Sequence, residues 1–442
     1  MKKADREPLA VFFYGFILWL IESAAAEGIT KLYFFTREGE FFKNLYEEVA
    51  GIQFPERKLP AAEILEVSRM STFLPSFCEI SLDECMRIWN QYETQSMSAL
   101  MRSFHTDLYR MRKYFAKYRI DPDEKIVKPW EDRRVQALFQ DAEFVEAVAA
   151  EKEKKKRLLC GYLAERGFSV QEDGTGPGMK KVRIGVVDIG WRGTIQDNLC
   201  YLYPDSEIVG FYIGLQQFLS PQPSNSRKYG YINAYALSGA ILMFVSPLEM
   251  LCNSKTGSVL AYAEKDGRIC AVKRNERQED AVFYQYTERR QQKIAACMRS
   301  YYCLANQKKK KKQTGKRLHK KAVRALYRFM VWPDRTTADV YFTLKHNEEF
   351  GMGCFLDKSR IPGFRKFLKT LPGLRKKGSW KEFLKKTAWP QGYFVKHRQY
   401  LLLAAYNVCL LYDMWIQNRK KPGKRKGNGH DASKKNHIQI CD

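Results

Sequence analysis

Two short runs, Lys31–Phe35 (KLYFF) and residues 182–187 (VRIGVV), each stop at a glycine-bearing turn and continue into a helix-forming stretch. Runs this short and this apolar read as strands buried on both faces. Strand, tight turn and helix in that order is the grammar of parallel α/β units, whose crossovers place helices against a sheet. Residues 9–26 ahead of the first run read as a helix stopped by Gly28 at its C′ position. Residues 40–50 read as the helix after it, and residues 64–67 and 207–215 as further strands. With 45% hydrophobic residues, the chain has material for a substantial core, which excludes disorder as the whole answer. The expected fold class is therefore α/β, a Rossmann-like parallel sheet with helices on both faces, followed by a basic, mainly helical C-terminal module.

The intervening sequence fills in around that frame. Residues 82–167 carry helical patterning and few strand signals, so they are expected as a helical insertion. Residues 171–181 and 220–231 read as polar loops, the second leading into an apolar helix that ends near Cys252. Asp266-Gly267 favours a tight turn between residues 257–263 and 268–272, hence a hairpin. Residues 278–304 are expected as helix. The apolar runs 9–21, 235–251 and 400–416 are too short or too interrupted by Glu22, Pro247, Glu249, Asn407 and Asp413 to span a bilayer. All three are expected as buried helices.

Charge divides the chain unevenly. Of a net +27, residues 301–442 hold 34 basic and 9 acidic residues, or +25, leaving +2 for the first 300. Five consecutive lysines at 308–312 mark the clearest linker. The expected division is an α/β domain at 1–304, a basic linker at 305–325, a basic helical module at 326–418 and a disordered tail at 419–442. Any anionic partner, whether membrane surface, acidic glycan or nucleic acid, belongs to the last third. Eleven widely spaced cysteines with no CxxC pair point to reduced thiols in a cytoplasmic protein rather than to a disulfide framework or structural zinc.

Chemistry concentrates at the strand ends. In Asp188-Ile189-Gly190-Trp191-Arg192-Gly193-Thr194, a carboxylate at the carboxyl end of a strand faces the crevice where open α/β sheets bind ligands. Gly190 and Gly193 allow close backbone approach, and Thr194 opens a helix whose N-terminus favours an anion such as phosphate. The same residues also suit a plain strand-to-helix turn with Asp188 as helix cap. Thr36-Arg37-Glu38-Gly39 follows another strand: Arg37 offers a planar fork for phosphate, and Glu38 an acid, a base or a metal ligand. Ser68-Arg69 ends a third strand. Glu249, in an apolar helix, needs a partner or a shifted pKa; Asn253, Thr256 and Ser258 accompany it. No DxDxT loop, P-loop, HExxH or GxSxG occurs.

Several blocks occur together in order: LYFFTREG (32–39), VSR (67–69), VDIGWRGTIQ (187–196), GFYIGL (210–215), and EML (249–251) through TGSV (256–259). In this the chain resembles the large C-terminal region of predicted HAD-superfamily hydrolases encoded among bacterial surface-polysaccharide genes, over residues 8–275. Weaker echoes lie at Glu349-Phe350-Gly351 and Trp389-Pro390-Gln391-Gly392. Two departures are Glu38, where those proteins carry Asp, and Thr256, where a His is frequent. The nucleophilic HAD domain is not among the matching blocks, so phosphatase chemistry through a phospho-aspartate does not transfer. The layout is also similar to phosphoribosyltransferases at the level of fold, without their paired acidic residues.

The resemblance implies a protein of surface-glycan assembly that binds a phosphorylated or nucleotide-linked sugar for phosphoester hydrolysis or transfer. Asp188 and Glu38 are the catalytic candidates, and they are also the available ligands if Mg²⁺ is used. Arg37, Gly39, Ser68, Arg69, Gly190, Trp191, Arg192, Gly193, Thr194, Gln196 and Glu249 are the binding candidates. Such a protein is expected in the cytoplasm, with a peripheral place at the inner membrane face beside glycan-assembly enzymes. A non-catalytic accessory protein and a general polyanion binder stay open as alternatives.

Overall fold

Helix α1 (Ala10–Ala26) is apolar on nearly every side and ends where expected, at Gly28 with φ +69, with the Ile29 N–H returning to the Ala24 carbonyl at 2.9 Å. The computed structural model describes residues 7–168, 183–233, 241–275, 277–307, 315–343, 345–348, 351, 354–371 and 379–419. After α1 come β1 (Lys31–Phe35), α2 (Gly39–Gln53), β2 (Ala61–Leu65) and the short α3 (Arg69–Phe73). A helical insertion follows and runs out through α4 (Ala142–Glu165). The α/β pattern resumes with β3 (Arg183–Asp188), α5 (Thr194–Leu202), β4 (Glu207–Leu215) and β5 (Ser226–Asn233). Beyond it lie α6 (Ser246–Cys252), the hairpin β6 (Val259–Lys265) and β7 (Arg268–Lys273), then α7 (Glu288–Gln307), α8 (Gly315–Val331) and, last, α9 (Tyr400–Arg419).

The five strands β1 to β5 form one parallel sheet in the order β2-β1-β3-β4-β5, a Rossmann-like arrangement. Strand alternation sorts the side chains. Leu32, Phe34, Val187 and Phe211 join α1 and α2 in one core. Tyr33, Phe35, Val186 and Ile208 face the opposite way, onto Leu159, Tyr162 and Leu163 of α4 and onto the hairpin. The insertion has its own core from Phe73 to Val148, and α4 bridges the two by contributing Phe144 at one end and Leu163 at the other.

Four expectations need correction. Residues 226–233 are not loop but the edge strand β5. Its polar side chains escaped notice because each is satisfied by a partner far off in sequence: Arg227 and Tyr229 meet Glu27 at 2.9 and 2.5 Å, and Lys228 meets Asp197 at 2.6 Å. The apolar helix expected before Cys252 is only α6; residues 234–240 lie outside the described set, as do the expected loop 171–181, the lysine run 308–312, Glu349-Phe350 and the tail from 420. The span 305–325 is no linker over its second half, where residues 315–325 belong to α8. Leu318, Ala322 and Leu326 of α8 share the core of α1, and Gly15 of α1 leaves room beside them for the Tyr231 hydroxyl, which a Cβ there would overlap. The C-terminal helices and the sheet thus share one core. Finally, α9 is only half buried: Leu403 and Leu410 face inward, but Leu401 and Val408 face water. No helix among the described residues is long and apolar enough to cross a membrane.

Candidate functional site at the strand ends

The strand order creates the site. From β1 the chain moves outward to β2, whereas from the neighbouring β3 it moves the other way to β4. The loops leaving β1 and β3 therefore part from each other, and a crevice opens between them at the carboxyl ends of the strands. Here it is an open cleft of ≈ 370 Å³. Arg37 and Glu38 after β1, Ser68 and Arg69 after β2, and Asp188 through Thr194 after β3 all line it, with Glu249 of α6 and Ser258 closing the rim. Three loops separated in sequence thus deliver their charged residues to one place.

Asp188 is the last residue of β3, paired with Tyr212 of β4 and 7% exposed. It does not cap α5: the N-cap is Gly193, at φ +68 with no side-chain cap, and Asp188 Oδ1 accepts instead from its neighbour's N–H, Ile189, at 2.8 Å. Burial, followed by the Glu38 carboxylate, pushes the Asp188 carboxyl up to about 8; the Ile189 N–H and Arg69 pull the other way. Glu38 is raised as well, first by burial, with Arg37 opposing and Glu249 reinforcing the shift. A buried acid that keeps its proton at neutral pH can donate it.

The glycines serve the loop itself. Gly190, at φ +137, lies so close to β4 that a Cβ would overlap the Gly214 carbonyl oxygen. At Gly193 a Cβ would stand 2.7 Å from the Tyr212 hydroxyl and 2.8 Å from Lys228 Cε. Lys228, almost wholly buried, holds the loop from beneath by donating to the Arg192 carbonyl at 2.9 Å while paired with Asp197. Trp191 packs over Gly214 and donates from Nε1 to Glu249 Oε1 at 2.8 Å. The Thr36–Arg37 and Gly190–Trp191 peptide bonds are cis.

Two expected binding residues do not reach the cleft. Gly39 sits against the Phe34 backbone, 2.8 Å from where its Cβ would be, and serves the close packing of α2 on β1. Gln196 is fully buried; its amide donates to the Ile208 and Arg227 carbonyls at 2.8 and 3.0 Å, and its oxygen accepts from Tyr212 at 2.6 Å. It ties α5 to the sheet and, fully buried, is out of a ligand's reach. Ser68 lines the cleft, but its hydroxyl is spent on the Ser71 N–H of α3 and the Val259 carbonyl.

Other lining residues escaped the sequence reading. Thr36, quoted within the turn but given no role, is buried, and its hydroxyl has no hydrogen-bond partner among the described residues. Gln216 lies directly after β4, so the strand-end rule could have found it. Gln91 and Tyr92 come from the helical insertion, where no local pattern marks them. As for Mg²⁺, the donor set does not fit. Asp188 feels the charges of Glu38 and Glu249, yet among the described residues no three acidic, His or Cys side chains gather as metal ligands. No protein-family model matches this chain, and no curated protein does either.

Proposed function

We propose that the strand-end cleft binds a phosphorylated or nucleotide-linked sugar and that Asp188 and Glu38 carry the proton transfers of phosphoester hydrolysis or transfer. One observation carries this reading: Arg37, Arg69 and Arg192, from three separate loops, line the same cleft as the uncapped N-terminus of α5 and the protonated Asp188. Guanidinium groups and helix-terminal N–H groups suit phosphate oxygens. The Thr36 hydroxyl adds a buried polar group with no partner among the described residues, the kind a ligand satisfies.

In the hydrolytic case, water attacks phosphorus and gives its proton to Glu38. The bond from phosphorus to the sugar oxygen breaks, and Asp188 gives its proton to the departing oxygen. Solvent then returns both carboxyls to their starting states. In the transfer case a sugar hydroxyl replaces the water. The arginines hold the phosphoryl oxygens throughout, and their positive charge matters most as charge gathers there. The setting in bacterial surface-glycan assembly comes from the sequence blocks at 32–39, 187–196 and 249–259 and from nothing else.

The test is a panel of sugar phosphates and nucleotide sugars, read by thermal shift and by product release. An active ligand raises the unfolding temperature, and Arg69→Ala abolishes that rise. Asp188→Asn retains the rise but loses about 10²–10⁴-fold in turnover, the usual worth of a general acid. If no member of the panel either stabilises the protein or is consumed, the reading fails. Stabilisation without turnover makes the cleft a binding module and removes the catalytic roles.

A further inference from the structure

Helix α9 is apolar on nearly all sides, yet among the described residues only one side is covered. Leu403, Asn407 and Leu410 are buried, whereas Leu401 is 89%, Val408 66% and Tyr412 59% exposed. With Ala405 between them, also exposed, positions 401, 405, 408 and 412 fall every three to four residues and form one straight stripe. Large apolar side chains aligned in water in this way mark a contact surface.

Charge identifies the partner. Between residues 364 and 426 the chain carries 17 Lys and Arg against two carboxylates, Glu382 and Asp413. The fold brings several of these cations beside the stripe. Lys381 of the helix Ser379–Lys386 reaches Asp413 of α9 at 3.5 Å, and Lys385, one turn further along that helix, is exposed. At the other end, exposed Arg398 lies two residues before the start of α9. Phe364 packs on His397 at 5.8 Å, which brings the exposed Arg365 and Lys366 to the same corner. Asp413, the carboxylate on α9, is neutralised by Lys381.

An apolar stripe bordered by cations matches a bilayer surface with anionic headgroups: alkyl and aromatic side chains enter the acyl boundary while the cations stay among the headgroups. Nucleic acid would use the cations but leave the stripe in water. A second copy would bring one cationic border against another. We propose that the exposed face of α9 docks this protein on an anionic membrane surface, independently of what the strand-end cleft binds.

The experiment is flotation of the full chain with vesicles of phosphatidylcholine, with and without about one-third phosphatidylserine. The expected result is flotation with the anionic vesicles only, at about 0.15 M salt. Leu401→Glu/Val408→Glu and Lys385→Glu/Arg398→Glu should each weaken it about tenfold or more, since one removes insertion and the other attraction. These side chains stand in water, so an unchanged unfolding midpoint is expected; if glutamate lowers it, Leu401→Ser/Val408→Ser replaces the first variant. Binding that ignores the apolar variant overturns the proposal, because the basic residues alone would then hold any polyanion. So does absence of flotation. A dimer split by Leu401→Glu/Val408→Glu, with no vesicle binding, also overturns it and assigns the stripe to a second copy.

Discussion

Trp191 donates its indole N–H to Glu249 at 2.8 Å, and this bond ties the loop after β3 to α6 across the rim of the cleft. Glu249 also adds its charge to the fields at Asp188 and Glu38, so its position matters to both. Trp191→Phe leaves an aromatic side chain in the loop and removes the donor. A hydrogen bond to a charged group is worth about 1.5–3 kcal/mol, and a loss in that range is expected in denaturant unfolding. In the double variant with Glu249→Ala the two losses should not add, because each removes one partner of the same bond. Additive losses would show that the pair is not coupled.

Asp188 makes stability depend on pH in an unusual direction. Its folded-state carboxyl is pushed up to about 8, whereas in the unfolded chain it titrates in the ordinary range near 4. Between those values the folded state holds the extra proton. The contribution is therefore fully present below about pH 4 and is lost as pH rises toward 8, by up to about 1.4 kcal/mol per pH unit. Asp188→Asn removes the titration, so stability measured from acid to neutral pH should fall less steeply in the variant than in the parent. Parallel curves would mean that Asp188 ionises normally.

Glycine replacements should rank by what the new Cβ meets. Gly28→Ala adds a side chain at φ +69 with nothing within 4 Å, so only the backbone cost applies, about 1–2 kcal/mol. Gly193→Ala carries the same backbone cost at φ +68 and also presses on the buried Tyr212 and Lys228. Gly190→Ala meets the carbonyl of Gly214, which cannot move without breaking the pairing of β4. Unfolding midpoints should fall in the order Gly28, Gly193, Gly190, and only the last two should weaken ligand binding in the cleft. Any other order would show that the β3 loop relaxes freely.

The sequence was legible where a structural unit is both short and buried. The ends of β1 and β4 coincide with the expected 31–35 and 207–215, because a parallel strand covered on both faces is written as an unbroken apolar run. β5 was illegible because its burial depends on distant charges: Lys228 enters the interior only with Asp197 beside it. The convergence of Arg37, Arg69 and Asp188 followed from one topological rule about strand ends. That rule says nothing about which side of a helix faces the ligand, and so Gln196 was misplaced. Tyr92 reaches the cleft from a separate core and leaves no trace in its own surroundings.

The charge map misled most at residues 315–325. Lysines there suggested an exposed tether, although Leu318, Ala322, Leu326 and Met330 recur at helical spacing and all four prove buried in the core of α1. His319 meets the Tyr231 ring edge-on at 4.7 Å on the same face. Removing α8 would take Leu318, Leu326, Phe329 and Met330, four large side chains, out of the core and leave their counterparts on α1 in water. At about 1.5–3 kcal/mol for each large side chain, the loss is of the order of the whole stability of a domain. A chain ending at residue 307 should therefore lack a cooperative unfolding transition, and brief proteolysis of the full chain should release no stable fragment near 1–304. A cooperatively folding 1–307 fragment would restore the view of the basic end as an appendage. Without it, the +25 carried by residues 301–442 belongs in part to a helix on which the sheet depends, and charge alone is no guide to where this chain divides.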